Sequence, residues 1–211
     1  MEPQQPASDC ALCPRLAEFR ERQRAANPDW HNAPVESFGP LDARLLIVGL
    51  APGLRGANRT GRPFTGDFAG DLLYATLHKF GFASGVYDAR PDDGLALSDC
   101  RITNAVRCVP PENKPVGAEI NACRPFLAGE IAAMCNLRVI LALGGLSHAS
   151  VLRTLGLRVA AYKFGHAALH RIAGAPLIAD SYHCSRYNTN TGRLTEPMFR
   201  SVFAAIVKEL G

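Results

Sequence analysis

The sequence predicts an α/β fold: a single three-layer α/β/α domain around a central, mainly parallel four-stranded sheet. Three observations predict it. Four short apolar segments alternate with four segments of helical periodicity. The first and third of these segments are continuous apolar runs, as strands buried on both faces require. Glycine-rich and polar residues gather just after the apolar segments, where an open parallel sheet places its ligands. With 211 residues, the chain can fill one core, and no linker marks a second, so residues 1–211 are expected to form one domain.

Pro14 to Gln23, "PRLAEFRERQ", carries Leu16 and Phe19 three apart and predicts a short surface helix. A Pro- and Asn-rich connection holding the only tryptophan, Trp30, leads to "RLLIVGL", the first buried strand. The loop "GLAPGLRGANRTGRPFTGD", Gly49 to Asp67, follows with five glycines, three arginines and one closing carboxylate. In "DLLYATLHKFG", Leu72, Leu73, Thr76, Leu77 and Phe80 recur at helical spacing and stop at Gly81. A Gly- and Asp-rich excursion, Ala83 to Asp99, precedes a second strand in "CRITNAVRC". "GAEINACRPFLAGEIAAMC" predicts a helix, "LRVILAL" a third strand and "LSHASVLRTLG" a helix closed by Gly156. "PLIADSYH" is the fourth strand, and "EPMFRSVFAAIVKEL" a closing helix with Pro197 in its first turn.

Composition excludes several classes. Hydrophobic content of 47% with 20% charged residues is that of a globular protein, and no apolar run reaches bilayer length. The N-terminus "MEPQQPASDC" lacks signal-peptide character, so the cytoplasm is the expected compartment and no membrane partner is expected. A net charge of +4 announces no polyanion by itself, but Arg55, Arg59 and Arg62 crowd one loop and Arg186 and Arg193 another, which suits local phosphate contact. A P-loop triplet, a G-x-G-x-x-G opening a helix and a G-x-S-x-G elbow are all absent.

Of seven cysteines, Cys10 and Cys13 form a C-x2-C pair, and Cys108 and Cys123 are separated by fourteen residues. A C-x2-C turn aims two sulfurs at one ion, and two distant cysteines can complete a four-thiolate shell for zinc or an iron–sulfur cluster. The strand ends read "GLAPG", "NAVRC", "LGGLSH" and "SYHCSR". They bring the ring of Phe64, the carboxylate of Asp67, the amide of Asn104 and the imidazole of His183 to one sheet edge. A ring that stacks, an amide that reads an edge, an acid that steadies a cationic sugar and an imidazole that stabilises a leaving base suit chemistry on a nucleobase. Taken one at a time, Asp67 could cap a helix, Asn104 could bond backbone, and Phe64 and His183 could be core.

Together, "GLAPGLRGANRTGRPFTGD", "TNAVRCVPPENKP" and "SYHCSRYNTNTGRLT" resemble the uracil-DNA glycosylase superfamily, specifically its family 5, the iron–sulfur branch of bacteria and archaea. A Gln-Asp-Pro-Tyr sequence, an acid soon after a Gly-Glu-Ala-Pro-Gly and a His-Pro-Ser motif would mark the other branches, and all are missing. The resemblance implies a monofunctional glycosylase hydrolysing the N-glycosidic bond of uracil, and of hypoxanthine or xanthine, in damaged double-stranded DNA. It implies Asp67, Asn104 and His183 as catalytic residues, with Gly49, Ala51, Gly53 and Phe64 joining Asn104 and His183 around the base. Arg59, Arg62, Ser185, Arg186, Asn188 and Arg193 would approach DNA. Cys10, Cys13, Cys108 and Cys123 would hold a [4Fe-4S] cluster, zinc being the lesser occupant, and would tie residues 1–40 to the core. A monomer associated with the nucleoid is expected. The rivals are a zinc-thiolate DNA-binding module without chemistry and a hydrolase of free nucleosides.

Overall fold

The computed structural model describes residues 2–211. Its elements are α1 (Pro14–Ala26), β1 (Leu45–Gly49), α2 (Ala57–Thr60), α3 (Phe68–Lys79), β2 (Ala83–Ser84), β3 (Ala96–Leu97), β4 (Cys100–Asn104), α4 (Gly117–Ala133), β5 (Val139–Leu143), α5 (Gly145–Thr154), β6 (Leu169–His170), β7 (Leu177–Ser181), α6 (Arg186–Asn190) and α7 (Glu196–Leu210), with short 3-10 turns at Pro111–Asn113 and Val159–Ala161. The main sheet runs β4-β1-β5-β7-β6. Pairs β1/β4, β1/β5 and β5/β7 are parallel, and β6 joins β7 antiparallel. No helix among the described residues is long and apolar enough to cross a membrane.

The four parallel strands are the four expected, and every residue of β1 and β5 is buried. The fifth strand is an addition. Two residues long, β6 cannot show a periodicity, and only its partner β7 makes it a strand. The same holds for the β2/β3 pair inside the Ala83–Asp99 excursion. Two short helices, α2 and α6, also stand where the sequence suggests loops.

Side chains of β1 alternate between two cores. Leu45 and Ile47 meet Leu73 and Leu77 of α3 and Phe199, Phe203 and Ile206 of α7. Leu46 and Val48 meet Leu127 of α4 and Val151 and Leu152 of α5. These are the two outer layers of the sandwich. The chain leaves β1 toward β4 on one side and returns to β5 on the other, so β1 is the point where strand order reverses and a crevice opens beyond the carboxyl ends. Register sets Gly49, the last residue of β1, beside Asn104, the last of β4.

The N-terminal segment is held by polar contacts as well as by its cysteines. Arg15 Nε donates to Glu119 Oε1 at 2.7 Å, and Arg107, buried with Glu130, donates to Gln5 Oε1 and Ser37 Oγ.

Candidate active site

A pocket of about 660 Å³ opens at that crevice, within the roughly 300–1,000 Å³ usual for small-ligand sites. Ala51, Gly53, Phe64, Asp67, Asn104, His183, Ser185 and Arg186 all line it. Most of the residues that the resemblance assigns to base and DNA recognition therefore share one hollow.

Asp67 does two things at once. Its Oδ1 accepts from the Ala69 and Gly70 amides at 3.1 and 3.3 Å, capping α3. Its Oδ2 faces the glycine loop: a Cβ on Gly56 would stand 2.4 Å from it, and one on Gly53 2.9 Å. Only bare backbone allows the loop so close. Burial pushes the Asp67 carboxyl above its ordinary value of 3.8, against the pull of the two amides.

Asn104 is buried, yet its side chain makes no hydrogen bond among the described residues, which leaves both donor and acceptor for a ligand. Gly49 explains its placement. A Cβ there would lie 2.3 Å from Asn104 Oδ1 and 2.7 Å from the Phe64 ring. Gly49→Ala should therefore displace the amide and the ring while the strand persists. Misplacement on the 1 Å scale can cost ~100-fold in rate. A loss of that order in excision at unchanged melting temperature is the expected result, and an unchanged rate would remove Asn104 from the working set.

Phe64 sits at φ +52°, a conformation uncommon for a bulky residue. Its ring stacks against His183 with centroids 5.9 Å apart. It belongs both to the core and to the pocket wall. His183 is half-buried in the pocket wall, and burial pushes its pKa down to about 4. At neutral pH it is an uncharged imidazole that donates one N–H. Asn188 Nδ2 donates to the His183 carbonyl at 2.8 Å, which helps to position His183.

Arg62 does not fit its expected place. Its guanidinium is buried, donates to both oxygens of Asp93 at 2.8 and 2.7 Å and to Thr65 Oγ1 at 2.8 Å, and has no reach to a phosphate. Arg59 and Arg193 are exposed outside the pocket lining, Arg193 lying over the Tyr182 ring. Arg186 stands at the rim over Phe68. Arg55, a cation of the glycine loop, also lines the pocket, and so does Asn113, which had no role in the sequence and sits at φ +57° in the "PPEN" turn. The Pro-Glu-Asn sequence signals a turn but not where the turn lands.

His148, without a role in the sequence, is buried with Asp180 of β7. His148 Nδ1 lies 2.7 Å from Asp180 Oδ1, and its Nε2 donates to the Tyr162 carbonyl at 2.8 Å. His170 Nε2 meets Asp180 Oδ2 at 2.9 Å. This network bolts α5 and β6 to the strand that delivers His183. Cys184 is packing: its buried thiol donates to the Ala69 carbonyl at 3.4 Å, pinning the β7 exit to α3.

On the far side of the β4 exit, Cys10, Cys13, Cys108 and Cys123 line a second, small hollow with Leu16, Val106 and Phe126. Burial raises Cys13 to about 11 and Cys108 to about 12, and lifts Cys123 too, so unbound they are neutral thiols. Donors nevertheless converge on them: the Arg107 amide on Cys123 Sγ at 3.3 Å and Arg20 Nη1 on Cys108 Sγ at 3.8 Å. Thiols accept weakly and metal-bound thiolates well, so this donor set fits an anionic metal–thiolate group. By its chemistry a four-thiolate shell suits a tetrahedral zinc or an iron–sulfur cluster alike.

The uracil DNA glycosylase superfamily model matches residues 36–207. The chain belongs to this superfamily. Within it, the chain is 45% identical over 199 residues to a Type-5 uracil-DNA glycosylase of Thermus thermophilus, covering 92% of this chain and 90% of that protein. It is 40% identical to a Type-5 uracil-DNA glycosylase of Mycobacterium leprae, over 97% of this chain and 93% of the other. A Type-4 uracil-DNA glycosylase of Thermotoga maritima is 38% identical over 52% of this chain and 50% of its own length. Similarity to the superfamily's Type-5 members thus runs over most of the chain.

Proposed function

We propose that the chain is a monofunctional DNA glycosylase that hydrolyses the N-glycosidic bond of uracil in double-stranded DNA, leaving an abasic site, and that it acts as a monomer on nucleoid DNA. One observation carries this: the Asp67 carboxylate, the unpartnered Asn104 amide and the neutral His183 imidazole line a single pocket. The nucleotide is turned out of the helix at a cost of a few kcal/mol, least where the base is mispaired. Phe64 supplies a ring face for the base, and Asn104 pairs with its edge. As the bond stretches, positive charge grows on the sugar and negative charge on the base. Asp67 Oδ2 steadies the sugar or aligns the water, and the neutral His183 N–H donates to the departing base without first needing a proton. None of the lining residues is a lysine. Lys114, in the second motif, is exposed and outside the lining, so the pocket offers no amine for a Schiff base and strand cleavage. The pocket's size admits a purine as readily as a pyrimidine, which supports hypoxanthine and xanthine as further substrates.

Cys10, Cys13, Cys108 and Cys123 would hold a [4Fe-4S] cluster. Since hydrolysis transfers no electron, such a group would supply a fixed cross-link from the N-terminal segment to α4. Colour separates this cluster from the single zinc of a non-catalytic DNA-binding module: an iron–sulfur protein is brown, a zinc protein colourless. Cys108→Ser is expected to lose iron, brown colour and thermal stability together; an unchanged melting curve would refute the cross-link. The function is tested with duplexes carrying uracil, hypoxanthine or xanthine beside the free nucleosides, each followed by alkali. Strand breaks that need alkali and occur only with lesion duplexes are expected. Cleavage of free nucleosides instead would place the chemistry outside DNA repair.

A further inference from the structure

Arg20, on α1, is a buried cation with no adequate counter-ion among the described residues. Its Nη1 donates to the Cys10 carbonyl at 3.1 Å and lies 3.8 Å from Cys108 Sγ. Its Nε is buried without a partner. The one carboxylate within 4 Å among the described residues is Glu21, 3.7 Å from Nε on a side chain that is 59% exposed, so water screens most of its charge. A buried cation left this way is costly to the fold, and pairing is the usual remedy.

We propose that Arg20 is the charge partner of the metal–thiolate group, donating to Cys108 and setting how readily that group gives up an electron; this rests on the iron–sulfur assignment made above. Four thiolates around a [4Fe-4S] core leave a net anionic group, which supplies the missing counter-charge. Removing one electron makes the group less negative, so a neighbouring cation opposes oxidation. Hydrogen bonds to cluster sulfurs act in the same direction, and both are levers by which a protein sets a cluster's potential. Arg20 therefore protects the cluster against oxidants, a role separate from base excision and some distance from the pocket, whose lining it does not join.

The test compares wild type, Arg20→Lys and Arg20→Met, purified without air and assayed for iron and visible absorbance. Each is titrated with ferricyanide, which takes a single electron from the cluster and becomes ferrocyanide. Arg20→Met is expected to oxidise at a more negative potential and to bleach several-fold faster in air, with Arg20→Lys closer to wild type. Equal potentials and equal bleaching rates in a brown Arg20→Met protein would overturn the role of Arg20 and leave the cluster standing. A colourless wild type without iron would overturn the cluster assignment, and this role with it. If Arg20→Met fails to fold, Arg20→Gln against Arg20→Lys isolates the charge, and identical potentials in that pair would again sink the proposal.

Discussion

Asp67→Asn should lose most excision and keep its fold. The asparagine oxygen can still accept from the Ala69 and Gly70 amides, so α3 remains capped. What disappears is the charge on Oδ2, the atom facing the Gly53–Gly56 backbone. Loss of a positioned acid or a charge stabiliser is worth roughly 10²–10⁴ in rate. Single-turnover excision on a uracil duplex should fall within that range, with DNA binding little changed. pH provides an independent check. Because burial lifts the folded-state carboxyl above 3.8, the ionised form is lost at a higher pH than for an exposed aspartate. The acid limb of kcat/KM should therefore lie at higher pH than an exposed aspartate would give, and Asp67→Asn should abolish that limb. Stability should move the opposite way. A raised carboxyl favours folding below its unfolded pKa and loses that contribution as pH rises through the folded value. Asp67→Asn should thus gain on wild type in melting temperature between acid and neutral pH. An active Asp67→Asn enzyme would assign the acid's work elsewhere.

The legible parts of the molecule were those that local chemistry decides. Strands β1 and β5 are continuous apolar runs that allow no other burial, and α7 shows its buried face in Phe199, Val202, Phe203 and Ile206. Asn104 and His183 could be brought together from sequence because a parallel sheet sends its strand ends to one edge. Contacts between distant segments could not be read this way. Arginine 62 is spelled the same whether it faces a phosphate or a carboxylate 31 residues away, and composition favoured the phosphate. The Asp180 network depends on His148, Tyr162 and His170 folding back onto β7, which no periodicity announces. An acid inside an otherwise apolar strand was the one available hint, since a buried carboxylate must find partners. Asp67 as cap or catalyst was a false choice. Two oxygens on one carboxylate can serve both.

Arg62→Met should be strongly destabilising. The guanidinium bonds both Asp93 oxygens and lies 5.2, 5.6 and 5.9 Å from the ring centres of Phe38, Tyr74 and Tyr87. Removing one partner strands the other charge, at ~3–5 kcal/mol for a buried pair. The Asp93 carboxylate is covered but lies close under the surface, so the lower end applies, about 3 kcal/mol. For a chain of this size, that is a fall of roughly 6–12 °C in melting temperature. The Arg62 contacts hold the Asp93 carboxyl well below 3.8. A depressed carboxyl stabilises the fold above its unfolded pKa and ceases to do so as pH falls through the folded value. The gap between wild type and variant should therefore be full at neutral pH and narrow in acid below 3.8. Function should suffer before unfolding sets in. Arg62 Nε fixes Thr65, Tyr74 Oη donates to the Pro63 carbonyl at 2.6 Å and Tyr87 Oη to that of Phe64 at 3.3 Å. Together they clamp the turn that keeps Phe64 at positive φ and delivers Asp67. Excision well below the melting temperature should drop while the salt dependence of DNA binding stays the same. Arg186→Ala, at the pocket rim, should instead reduce that salt slope by about one. If Arg62→Met lowered the slope and left melting alone, the guanidinium would reach DNA after all, and the buried pair would have to open when the duplex binds.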